Sequence, residues 1–158
     1  MPRRRELNDK QIEDAVNAAI DELMRRDRYL LEVDANERSI SHRFAIYLER
    51  HFPGYDVDCE YNRDGIDPKE VVWFDAQPTD QDTDAKTVFP DLIVHKRGER
   101  SRNLLVVEMK KVGNPQPRNR DLEKPRAYRK QLGYRAALFL ELSCKANPGV
   151  ACLQWVRD

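Results

Sequence analysis

The stretch Asn103–Lys111, NLLVVEMKK, decides how the rest of the chain is read. Leu104 to Val107 are apolar and partly β-branched, as in a buried strand. Glu108 and Lys110 then enter the run, with Met109 between them. Side chains alternate across a strand, so Glu108 and Lys110 share one face and Met109 takes the other. An acid and a base at the end of a buried strand need partners there, because unpaired charge is costly to bury.

The preceding apolar stretch, VFPDLIVHK (Val88–Lys96), is a second strand, and RGERSR between the two is a turn. A hairpin that turns near Gly98 and Glu99 brings Asp91 to face Glu108, where directly opposed Cβ atoms lie about 5 Å apart. Two carboxylates that close repel in a half-buried setting, so one takes a proton or a cation sits between them. Hard divalent ions such as magnesium favour carboxylate oxygens, which makes a metal the economical expectation. Glu37 is a third candidate acid. It precedes Ile40 by three residues and Phe44 by seven, and so joins their apolar helical stripe and points toward the sheet. The spelling acid–any–Lys also occurs as DPK at Asp67 and DAK at Asp84, but only EMK at Glu108 ends an apolar run.

Working outward, Asn8 to about Leu31 has helical periodicity through Ile12, Val16, Ala19, Ile20 and Leu23, with Asn8 or Asp9 as N-cap. A second helix is expected from Asn36 to Phe52, ended by Pro53–Gly54. Tyr55–Arg63 alternates like a half-buried strand. A polar stretch to about Lys86 contains one short apolar patch, Val71–Phe74, as a further candidate strand. After NLLVVEMKK comes a Pro-bearing loop, then a helix from Asp121 to about Gly133 with Pro125 placed in its first turn. Ala136–Leu142 and Gly149–Val156 are the last strands. The helical pattern interleaved with strands predicts an α/β fold.

With 158 residues the chain suits one domain, and no apolar run approaches the roughly 18 residues of a membrane span. The start, MPRRRELNDK, lacks the apolar core of a secretory signal. Three cysteines without CxxC spacing argue against a disulfide framework and a zinc site. A reduced, cytoplasmic protein is expected. The formal charge is zero, but acids dominate from Gly54 to Asp91 and bases from Lys110 to Arg135. Within the basic run, Lys111, Arg118, Arg120, Arg126, Arg129 and Lys130 are the candidates for meeting nucleic-acid phosphates.

Pro90–Asp91 on one strand and Glu108–Met109–Lys110 on the next resemble the PD-(D/E)xK nuclease superfamily. The wording ERSISHRFAIYLE, DCEYNR and NLLVVEMKK further resembles a group of small uncharacterised bacterial members. The resemblance implies a restriction-endonuclease-like core at residues 36–142. In it a central mixed β-sheet is flanked by helices in the order αβββαβ, and residues 1–34 form an extra N-terminal helical extension. It implies a metal-dependent nuclease, acting most readily on DNA, with Mg2+ or Mn2+ as cofactor. Asp91 and Glu108 would hold the metal, with the Met109 carbonyl and Glu37 as further ligands. Lys110 would orient or deprotonate the attacking water, or stabilise charge on phosphorus. The helix after ExK often supplies one more polar group, here Gln131 or Lys124. Tyr61, Glu60 and His95 are candidates to line the cleft. The competing expectation is a binding module of the same fold that grips nucleic acid or a partner without cutting, as a subunit of a defence or repair system. A homodimer or partner proteins fit either expectation.

Overall fold

The computed structural model describes residues 6–61, 63–64, 67–68, 70–71, 86–87, 91–113 and 118–157, with side chains considered outside 62–90 and 114–121. Helix α1 (Asp9–Arg26) starts at a capping box, in which Asn8 and Gln11 bond each other's backbone N–H. The helix expected to reach Leu31 breaks at Asp27 and resumes as α2 (Arg28–Glu32). The break has a cause. The Asp27 carboxylate accepts from Arg43 Nε at 3.0 Å and from the Tyr47 hydroxyl, both on α3 (Glu37–His51). Helix α3 itself is capped by Asn36, whose side chain accepts from Ser39 N.

Strand β1 (Asp56–Cys59) ends earlier than its alternation suggests, because Glu60 turns to φ +50° and donates its N–H to the Asp91 carbonyl. Two short antiparallel pairs follow: β2 (Arg63–Asp64) with β3 (Asp67–Pro68), and β4 (Glu70–Val71) with β5 (Lys86–Thr87). The candidate strand Val71–Phe74 is therefore seen only at Val71; the remainder lies outside the described residues, as do Val88 to Pro90. Strands β6 (Leu92–His95), β7 (Leu105–Lys111), β8 (Ala136–Ser143) and β9 (Gly149–Val156) complete a five-stranded sheet ordered β1-β6-β7-β8-β9. The β7–β8 pair is parallel and the other neighbours are antiparallel, so the sheet is mixed. Helix α4 (Arg118–Leu132) makes the crossover that a parallel pair requires.

The sheet is packed on both faces. Leu105, Val107 and Met109 of β7 join Leu138, Leu140 and Leu142 of β8 against α1 and α3. Ile93, Val106 and Ala137 face Tyr128 and Leu132 of α4. The N-terminal helix α1 buries Ile12, Val16 and Leu23 in the same cluster as α3 and the sheet, so it is built into this core. Pro125 stands inside α4, well past the first turn in which it was expected. Its missing N–H removes one rung of the helix ladder.

Between β6 and β7 the chain turns more tightly than a simple hairpin. Lys96 bridges Glu99 around Arg97–Gly98, with Gly98 at φ +79°, and a 3₁₀ turn at Arg100–Arg102 then lengthens the second arm. The bridge alone would set Asp91 opposite Leu104, since the partner numbers sum to 195. The strands pair Leu92 with Val107, a sum of 199, so Asp91 comes opposite Glu108 as expected. A shift of four is even, so every side chain keeps its face.

Candidate functional site

Strand β7 outruns β6. Leu92 pairs with Val107, yet β7 continues to Lys111. On its other edge Val112 N bonds Leu142 O, so the N–H groups of Met109 and Lys111 turn toward the open side beyond β6. Both are taken by carboxylates. Met109 N donates to Asp91 Oδ2 at 2.8 Å, and Lys111 N donates to Glu37 Oε1 at 3.2 Å. Two acids from different elements thus meet at one strand end, because the backbone there has donors and no strand to receive them.

Glu108 lies in the adjoining space. Its Oε1 accepts from Asp91 N at 3.3 Å, and its carboxyl group hydrogen-bonds that of Asp91. Burial pushes the Glu108 carboxyl well above the usual range, and the charge of Asp91 pushes it further. Asp91 is raised too, first by burial, although the Met109 N–H and Glu108 pull the other way. Lys124 on α4 lowers both and Glu37 raises Asp91. Both carboxyl groups of the pair are thus raised together. Lys110 follows on the same face as Glu108, and both are buried, at 6% and 8% exposure.

Lys124 and Gln131 lie in different surroundings. The charge of Lys124 reaches both acids, whereas the Gln131 carbonyl accepts from Arg100 Nη2 at 2.6 Å, beside the 3₁₀ turn at the opposite end of β7. Met109 packs away from the acids, with Ser41 Oγ 3.5 Å from its sulfur. His95 and Tyr61 form a separate group. His95 Nε2 lies 2.7 Å from Asp58 Oδ2, and the Tyr61 ring tilts over His95 at 4.8 Å. A cavity of about 410 Å³ opens beside the strand end, lined by Glu37, Arg38, Ser41, His42, Cys59, Glu60 and Asp91. Glu37, Glu60 and Asp91 thus share one opening, with Arg38 3.6 Å from Glu60.

The basic run divides. Lys111 Nζ is bound to Asp34 Oδ1 at 3.0 Å and to Ala35 O at 3.1 Å, and Arg129 donates to Arg135 O and Val156 O. These two are already engaged within the fold. Arg126 is half-buried and Lys130 is exposed; the side chains of Arg118 and Arg120 lie outside the described residues. Among the described residues no group of three or more His, Cys, Asp or Glu side chains is gathered as a metal site. Two buried groups were not singled out from sequence. Tyr128, whose hydroxyl is pushed up by burial and then by Glu108 and Asp91, belongs to a helix of weak apolar periodicity. Glu141 sits inside an apolar strand beside Lys110, and its signal was the mirror of Glu108: an acid in a buried run.

Among the described residues no helix is long and apolar enough to cross a membrane. Compared with known proteins, the chain matches no family model, no curated protein and no solved structure.

Proposed function

We propose that the chain is a metal-dependent nuclease with a restriction-endonuclease-like core of the PD-(D/E)xK kind, hydrolysing phosphodiester bonds, with DNA as its first substrate. The observation that carries this reading is the Asp91–Glu108 carboxyl pair at the end of β7, with buried Lys110 on the same face. The order helix, three sheet strands, helix, strand (α3, β1, β6, β7, α4, β8) is consistent with that core.

The donor set fits a hard divalent ion. Two adjoining carboxyl groups, both raised by burial, would offer their oxygens to a divalent cation, which favours their charged form. Asp91 and Glu108 would hold magnesium or manganese, with the Met109 carbonyl as a further donor and Glu37 acting through its charge on Asp91. Such an ion polarises a phosphodiester and makes its bound water more acidic. Lys110 supplies positive charge on the same face, and Lys124 adds a second cation from α4. The cavity at Arg38 and His42 gives a phosphodiester a way to Asp91.

The test is cleavage of linear, circular and branched DNA with magnesium, manganese or a chelator, by the unmodified chain, Glu108→Ala and Lys110→Ala. Metal-dependent cutting by the unmodified chain alone supports the reading. Equal cutting by all three proteins overturns it, and DNA binding without cutting favours a binding module of the same fold.

A further inference from the structure

Resting on that reading, we infer that Glu141 is a positioning residue that holds Lys110 in place at the site. The register of the parallel pair β7–β8 sets Lys110 directly beside Glu141. The two lie on the same side of the sheet as Glu108 and its partner Phe139, because alternation is shared across paired strands. Glu141 is 5% exposed and Lys110 is 6% exposed, so neither charge reaches bulk water freely.

A lysine ammonium on a four-carbon stem is a mobile point charge. Burying it beside a carboxylate of opposite sign restrains the stem and offsets the desolvation of both groups. The strand geometry adds a second sign that this position is built for a purpose. On its other side Glu141 pairs with Cys152, and the β8–β9 register slips between Glu141 and Leu142, leaving Ala151 as the extra residue of β9. A bulge at that point kinks the ladder beside Glu141 and bends the outer strand there. Glu141 touches no reacting atom and acts through Lys110.

The consequence is a division of labour among the acids. Asp91 and Glu108 would hold the cation, while Glu141 restrains the lysine beside it and keeps Lys110 from being drawn into the carboxyl pair two positions away. Lys110 then stands as a fixed cation, with Glu108 left available on the same strand.

The experiment combines a stability cycle with kinetics. Glu141→Gln, Lys110→Met and the double variant are unfolded in denaturant, and the cleavage rates of Glu141→Gln and Glu141→Asp are measured with magnesium. The inference expects each single change to lower the midpoint and the double to lower it by less than their sum. It expects Glu141→Gln to lose about 100-fold in kcat with little change in KM, and Glu141→Asp to recover part of it. If Glu141→Gln is too unstable to assay, Glu141→Asp carries both readouts. Additive midpoints, or cleavage by Glu141→Gln at the unmodified rate, overturn the inference while the nuclease reading stands. No cleavage by the unmodified chain removes that reading and the positioning role with it, and the cycle then reports only whether the two residues are coupled in the fold.

Discussion

Two aspartates flank β6 in opposite states. Asp58, on β1 beside it, is surrounded by positive charge: Arg97 donates from Nε at 2.9 Å and from Nη2 at 2.5 Å, and His95 closes the group at 2.7 Å. Burial alone would raise its carboxyl, but Arg97 and His95 bring it below the usual range. Asp91, just before β6, meets another carboxyl group instead and is raised. The first arrangement satisfies its charges internally. The second leaves two adjoining carboxyl groups raised in spite of the charge of Lys124. That difference separates a structural cluster from a candidate site, although both contain an aspartate, a buried partner and a nearby base.

The largest expected effect is on the chemistry. Glu108→Ala or Lys110→Ala reduces magnesium-dependent cleavage by about 1,000-fold in a single-turnover assay, whereas Asp58→Asn leaves the rate within a few-fold. Equal losses from both clusters would erase the distinction.

The next effect is on stability. Asp58→Asn costs about 1–3 kcal/mol in denaturant unfolding, because buried His95 loses its carboxylate partner. The depressed Asp58 carboxyl contributes stability above the ordinary carboxylate range, and that stability is lost as pH falls through its folded value. The raised Glu108 carboxyl works the other way. The folded chain holds a proton that the unfolded chain releases, so stability declines as pH rises from the ordinary carboxylate range toward the folded value. Glu108→Gln, which mimics the protonated form, is therefore expected to gain about 1 kcal/mol at pH 8 and little at pH 4. Thermal melts across that range check it.

A smaller effect sharpens the same contrast. Manganese at millimolar concentration raises the melting temperature of the unmodified chain by about 2–4 °C, the shift expected for about 1 kcal/mol of linkage. It leaves Glu108→Gln unmoved. The smallest effects are on the surface. Arg38→Gln, at the cavity beside Asp91, lowers DNA affinity several-fold and reduces its salt slope by about one. Arg129→Gln, whose guanidinium already serves Arg135 O and Val156 O, leaves that slope unchanged in a binding titration.

Much of this was legible along the chain. The apolar run ending in Glu108 and Lys110, the alternation that separates Met109 from them, and the stripe that carries Glu37 are local patterns, and the structure keeps each. The opposition of Asp91 and Glu108 was reached from a hairpin whose actual turn differs, with an added 3₁₀ segment whose length preserves the faces. Composition does not show where a side chain of the basic run spends its charge. Lys111 and Arg129 are taken up by Asp34 and by backbone carbonyls far away in sequence.

By itself the sequence determined the α/β class and the strand whose end carries Glu108 and Lys110 on one face. Those follow from periodicity and from the cost of burying charge, which act over a few residues. Only the tertiary structure brought the charge of Lys124 near both acids, set Glu141 beside Lys110, and drew His95 into the Asp58 cluster. These choices depend on strand register and on which end of α4 lies over the acids. Both are set by packing between segments distant in the chain, where no local pattern carries the information.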